Sequence, residues 1–129
     1  MVSTVTPAIG LSAVTSMEVG EADTAIAHRS GSVEVLSTPR LVALCEEAAM
    51  SALEGHFDPG DTTVGLSVHI DHLRPTGLGR TVTANATLER IEGRRLVFTV
   101  AARDDRGLVA AGKLTRVVVD VERFMEKTH

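Results

Sequence analysis

Thr38-Pro-Arg-Leu-Val-Ala-Leu-Cys-Glu-Glu-Ala-Ala-Met-Ser-Ala-Leu53 is the one stretch of the chain with the period of a substantial helix. Thr38 offers a side-chain oxygen to cap free amides, and Pro39 suits a first helical position, where a missing N–H costs nothing. Gly55 supplies the stop. With successive residues about 100° apart, Leu41, Val42, Leu44, Cys45, Ala48, Ala49, Ala52 and Leu53 form one broad apolar arc. Arg40 and Glu47 fall outside it. Glu46 falls at its edge, beside Val42, Ala49 and Leu53, where an ionised carboxylate is costly without a partner. It reads either as a general base or nucleophile, or as a boundary glutamate whose stem lies on the sheet while its head reaches water.

Outward from this helix the chain is written in strands. Residues 1–13 form a loose arm, and 14–129 form a single domain. Val14 to Val19 and Ala22 to His28 are expected as short strands, followed by a turn at Ser30-Gly31-Ser32 and by Val33, Val35 and Leu36 leading into the helix. Asp58-Pro59-Gly60-Asp61 marks a turn after it. From Thr63 the period becomes two. Val64, Leu66, Val68 and Ile70 alternate with Gly65, Ser67, His69 and Asp71, and Val82, Ala84, Ala86 and Leu88 alternate with threonines and Asn85. Glu92-Gly-Arg-Arg95 and Asp104-Asp-Arg-Gly107 are turn sequences flanking a strand from Leu96 to Arg103. A last strand from Leu108 to Phe124 is expected, with a bulge at Gly112. Strands joined by tight turns are antiparallel. One apolar helix against such a sheet predicts an α+β fold, the antiparallel sheet wrapped around a central helix as in the hotdog layout. That layout normally pairs its sheets or packs side by side, and a domain with so few aromatics gains from the extra burial, so a homodimer is expected.

The 129 residues include three Phe and no Tyr or Trp, so the core must be aliphatic. The same scarcity argues against single-strand nucleic-acid binding, which needs stacking platforms, and a net charge of −4 argues against polyanions generally. A lone cysteine fits a reducing cytoplasm. No signal-peptide pattern and no run of about 20 apolar residues occurs, so no membrane association is expected.

Chemistry beyond Glu46 rests on few residues. His69 and His72 lie three apart on a strand and so face opposite sides, which disfavours a shared metal site, and no ligand spacing for zinc occurs elsewhere. His72 falls at the strand end before Arg74-Pro75, either at a site or in a solvated loop. Thr38 can cap the helix and also donate its hydroxyl elsewhere. Cys45, among alanines, reads as a buried inert thiol. No P-loop, GxGxxG or GxSxG is present, and no cofactor is expected.

Three segments together resemble the fluoroacetyl-CoA thioesterase family of hotdog thioesterases. These are Thr38…Glu46, Gly65-Leu-Ser-Val-His-Ile-Asp-His72, and Pro75-Thr-Gly-Leu with Thr-Val-Thr-Ala…Leu-Glu-Arg-Ile-Glu-Gly-Arg-Arg-Leu96. The resemblance spans roughly residues 15–125 and turns on two spacings: eight from threonine to glutamate and twenty-six from that glutamate to a histidine. It implies hydrolysis of an acyl-CoA thioester by Thr38, Glu46 and His72, with Gly65 shaping the acyl pocket. Glu46 would activate water or attack the carbonyl, and His72 would stabilise developing charge or protonate the thiolate. CoA would enter as part of the substrate. Its pyrophosphate needs cations, for which Arg74, Arg94 and Arg95 are candidates, the last two equally readable as solvated turn residues. The family's fluoroacetyl enzyme has lid phenylalanines before the helix, whereas His28 to Ser37 contains none. A short- or medium-chain acyl-CoA, or an acyl carrier protein thioester, is therefore the expected substrate. Two other readings use the same layout: a non-catalytic acyl-CoA or small-ligand binding module, and an acyl-CoA hydratase or dehydratase.

Overall fold

Ser37, one residue earlier than expected, caps the central helix. A computed structural model describes residues 6–129, so the first five residues of the expected arm lie outside the described residues. In it helix α1 runs Thr38–Leu53, and the Ser37 Oγ accepts from the Arg40 amide at 3.1 Å. Pro39 sits in the second helical position, where its missing N–H is still costless. The shift frees the Thr38 hydroxyl from capping. All of the predicted arc is buried except Val42, which with Glu46 is only half-buried.

Five strands surround the helix: β1 Ser12–Glu18, β2 Asp61–His72, β3 Thr81–Glu92, β4 Arg95–Asp104 and β5 Gly107–Asp120. They form one antiparallel sheet in the order β1-β3-β4-β5-β2. The α+β arrangement expected from the sequence is the one found. Helix α1 lies mainly on β1 and β3, and its alanines let the sheet approach closely; Phe98, Leu88, Leu96 and Leu114 fill the core around it. The inward side of β2, the far edge, is touched lightly by the helix and remains partly open.

Two expected elements are different in the structure. Ala22 to His28 is not a strand. A 3₁₀ turn at Glu21–Asp23 is followed by turns in which the Thr24 hydroxyl donates to the Glu21 carbonyl and accepts from the Ala27 amide. Such local bonding competes with a ladder, and only an isolated bridge from Thr24 to Leu36 forms. The last strand ends at Asp120 rather than Phe124. β4 stops pairing at Val117 and β2 begins opposite Asp120, so both neighbours run out there. The Asp120 carboxylate then accepts from the Arg123 amide at 3.0 Å and starts a short helix α2, Val121–Glu126.

A bulge decides which residues of β2 face inward. Gly65 pairs with Arg116 and Ser67 with Thr115, leaving Leu66 as the extra residue. Opposed residues of an antiparallel pair share a face, and Arg116, Leu114 and Ala110 are buried. Thr63 and Gly65 therefore face inward before the bulge, and Val68, Ile70 and His72 after it. Gly112, expected as a bulge, instead sits in register opposite Ile70. A Cβ there would overlap the His69 carbonyl, so its role is close approach.

Candidate active site

Two clusters of polar side chains form on the inward side. At the helix start, the Thr38 hydroxyl lies 2.8 Å from His72 Nδ1. Burial lowers the His72 pKa below its ordinary 6.5, with the Arg74 backbone working the other way, so the ring is neutral near pH 7. Where the Thr38 hydroxyl donates to Nδ1, the neutral ring carries its proton on Nε2. That nitrogen is buried and has no hydrogen-bond partner among the described residues. Both side chains line a cavity of about 290 Å³, whose apolar walls include Val33, Val35 and Leu36. His69 points to the opposite, exposed face, as the three-residue spacing requires.

The second cluster centres on Glu46. Its Oε2 accepts from Arg116 at 2.9 Å, and the same guanidinium donates to the Thr63 hydroxyl at 2.9 Å and the Thr63 carbonyl at 3.0 Å. Arg116 is 7% exposed, and desolvation lowers its pKa while Glu46 raises it. Gly65 packs directly on the carboxylate: a Cβ at that position would stand 2.6 Å from Glu46 Oε2. Four of the predicted residues thus gain partners, Thr38 with His72 and Glu46 against Gly65. The eight residues from Thr38 to Glu46 set the two clusters about 12 Å apart along the helix.

Arg116 was not singled out from the sequence, although a signal existed. In Lys113-Leu-Thr-Arg-Val-Val-Val119, a period of two places Arg116 on the face of Leu114 and Val118, an apolar face where a cation needs a partner. Of the three predicted phosphate-binding arginines, one lies beside these clusters and two lie at the β3–β4 turn. Arg74 lines the His72 cavity and donates to the Arg106 carbonyl at 2.6 Å. Arg94 donates to the Val118 carbonyl at 3.3 Å, and Arg95 is exposed at the start of β4. Cys45 is buried and its thiol is pushed up to about 11, mainly by desolvation and further by Glu46, which leaves it inert at neutral pH.

An antiparallel sheet wrapped on one helix is the arrangement of hotdog-fold proteins. The chain superposes on the fluoroacetyl-CoA thioesterase FlK with a TM-score of 0.89 at 28% identity, covering 95% of each chain. On a hot-dog-like protein from Thermanaerovibrio acidaminovorans the score is 0.87 at 30% identity, covering 96% of this chain and 91% of that one. The family model described as fluoroacetyl-CoA-specific thioesterase matches residues 19–122. The fluoroacetyl-CoA thioesterase of Streptantibioticus cattleyicolor is 35% identical over 94 residues, 73% of this chain and 68% of that protein. The chain belongs to the fluoroacetyl-CoA-specific thioesterase family.

Proposed function

We propose that this protein hydrolyses short- or medium-chain acyl-CoA thioesters through Glu46, His72 and Thr38. Membership of a thioester hydrolase family makes it a hydrolase of acyl-CoA rather than a hydratase or a silent binding module. The observation that carries the residue roles is the buried His72 Nε2, a ring nitrogen without a protein partner beside an apolar cavity and a donor in the tautomer that Thr38 favours by donating to Nδ1. That nitrogen is suited to the thioester oxygen as charge develops there, or to the departing thiolate. Thr38 holds the tautomer. Arg116 grips only one carboxylate oxygen of Glu46, so the other is available to take a proton from water or to attack the carbonyl. Gly65 lets substrate and backbone approach this carboxylate closely. The reaction so read needs only water, the thioester and these side chains.

The separation of the clusters supports a homodimer with composite sites. β2 is a long edge strand carrying exposed Leu66 and Val68, a surface that natural sheets seldom leave open. Two β2 strands paired antiparallel about a two-fold at His69 set residue 70 opposite 68 and residue 71 opposite 67. The extra residue Leu66 then brings Gly65, and with it Glu46, opposite His72 of the partner subunit. Each site would combine Glu46 and Arg116 of one protomer with Thr38 and His72 of the other. Among the described residues no helix is long and apolar enough to cross a membrane, and the unpaired Cys45 supports a cytoplasmic setting.

Free-thiol release from an acyl-CoA panel tests this reading. Glu46→Gln should lose at least about a hundredfold in kcat, roughly 2.7 kcal/mol of transition-state stabilisation. Equal rates for variant and wild type would remove Glu46 from the mechanism. Mixing Glu46→Gln with His72→Gln subunits tests the composite site, because the mixed dimer regains one intact site of two. No recovery on mixing, with exchange verified by mass spectrometry, would place both residues of a site in one chain.

A further inference from the structure

Thr63 is 3% exposed, at an inward position of β2 where a valine would pack and favour the strand equally well. Two contacts fix its hydroxyl. Arg116 Nε, which can only donate, approaches at 2.9 Å, so the oxygen accepts there. The hydroxyl proton goes instead to the Met50 sulfur at 3.2 Å. The Thr63 carbonyl accepts from Arg116 Nη2 at 3.0 Å, which makes this one residue the seat for two of the three guanidinium nitrogens. The third, Nη1, donates to Glu46. Gly65 stands opposite Arg116 in register and has no side chain, so the guanidinium can lean along β2 to Thr63. Met50 follows Glu46 by four residues on α1, on the same helical face. These contacts close a ring from the helix through β2 and β5 and back to the carboxylate.

We propose that Thr63 is a positioning residue for the reaction: with its hydroxyl oriented by the Met50 sulfur, it seats Arg116 and through it fixes Glu46. The proposal rests on the reading that Glu46 acts on the thioester, and adds what holds that carboxylate in place. A guanidinium is a rigid plane, so holding two of its nitrogens sets the direction of the third. A hydroxyl turns about its C–O bond, and the sulfur removes that freedom by taking the proton, which leaves a lone pair for Nε. A hydroxyl that donates is also the better acceptor. A Thr63 that only satisfied a buried cation would affect stability and leave the rate per folded molecule alone.

The test measures free-thiol release from acetyl-CoA and thermal unfolding for Thr63→Val, Thr63→Ser and Met50→Leu beside wild type. Thr63→Val should lower kcat about tenfold or more with KM unchanged, and Thr63→Ser should recover it to within about twofold. Met50→Leu keeps the volume and loses the acceptor, so kcat should fall about threefold with Tm held. Wild-type kcat in Thr63→Val or in Met50→Leu overturns the proposal, as does a Thr63→Ser enzyme as slow as Thr63→Val. Hydrogen exchange at Arg116 Nε, followed by NMR, keeps it testable without turnover, and should be at least about tenfold faster in Thr63→Val and Met50→Leu than in wild type. Exchange unmoved by both substitutions overturns the seat. Faster exchange in the variants of a protein that hydrolyses no thioester would support the seat and sink the thioesterase reading instead.

Discussion

Gly65→Ala is the substitution whose consequence the structure defines most sharply. Its backbone is not in the left-handed region, so alanine brings no conformational strain and should slightly favour the strand, by about 0.5–1 kcal/mol. The new Cβ would instead stand 2.6 Å from Glu46 Oε2 and 3.8 Å from the Arg116 guanidinium. The carboxylate is the flexible member and must retreat, which breaks its 2.9 Å bond to Arg116. A charge-assisted hydrogen bond is worth about 1.5–3 kcal/mol. The Glu46 side chain is 35% exposed, so solvent screening brings the loss nearer about 1 kcal/mol. Strand gain and lost bond nearly cancel, and Tm should move by no more than about 4 °C in a chain of this size.

Activity should not escape so lightly. A catalytic carboxylate displaced by a fraction of an ångström or more from its productive position costs up to about a hundredfold in rate, or roughly 2.7 kcal/mol. The assay is free-thiol release from acetyl-CoA under saturating conditions, alongside thermal unfolding of the same preparation. Low kcat with Tm preserved is the expected pair. Unchanged kcat would mean that Glu46 need not stay where Arg116 holds it. A Tm lower by about 8 °C or more together with lost activity would make Gly65 a packing residue instead.

Three further outcomes follow from the same geometry. Ser37→Ala should cost about 1 kcal/mol of stability through the lost cap and little activity, whereas Thr38→Ala should leave Tm unchanged and lower kcat at least tenfold; chemical unfolding and steady-state kinetics on both variants decide whether cap and site are separate residues. Arg116→Lys keeps a charge but cannot span Thr63 and Glu46 together, so Tm should fall by about 8–11 °C for a loss of about 2–3 kcal/mol, and a shift under about 2 °C would show the fork to be dispensable. His72 has its folded-state pKa lowered below the unfolded 6.5, so the unfolded chain binds the extra proton first. Stability should therefore decline as pH falls from about 7 through 6.5, and the acid limb of kcat/KM should lie below 6.5; a stability profile flat across that range, or unaltered by His72→Gln, would contradict the burial of this ring.

The parts of the fold legible in the sequence are those whose cause is local. The apolar arc of α1 and the alternation of β3 are written within a dozen residues, and short turn sequences join β3, β4 and β5. The cap falls on Ser37 rather than on the expected Thr38, because the two are chemically equivalent caps and only the backbone entry angle separates them. The difference bears on the chemistry: one residue inside the helix, the Thr38 hydroxyl has no cap to serve and lies 2.8 Å from His72 Nδ1. The turn of Asp120 into α2 was hidden for another reason. Val117-Val-Val-Asp-Val121 favours a strand by propensity, and the strand ends only where both sheet neighbours run out, a fact about β2 and β4 rather than about these residues.

The site was half legible, and the missing half shows what strand periodicity cannot carry. In a regular strand, Gly65 and His72, seven apart, face opposite sides, so period-two reading alone denies that both belong to one surface. The bulge at Leu66 restores them to the same face, and no residue in Gly65-Leu-Ser-Val68 announces it. Arg116 could have been reached by a different route. A carboxylate on the edge of an apolar helix face implies a cation to meet it, and β5 carries two: Lys113, which alternation sends outward to Glu89, and Arg116, which it sends inward. Following the charge from Glu46 across seventy residues to the matching inward position selects Arg116 without any knowledge of the fold. Buried charge is scarce because it is costly, and that scarcity makes a single misplaced glutamate a sharper guide to its distant partner than any local pattern.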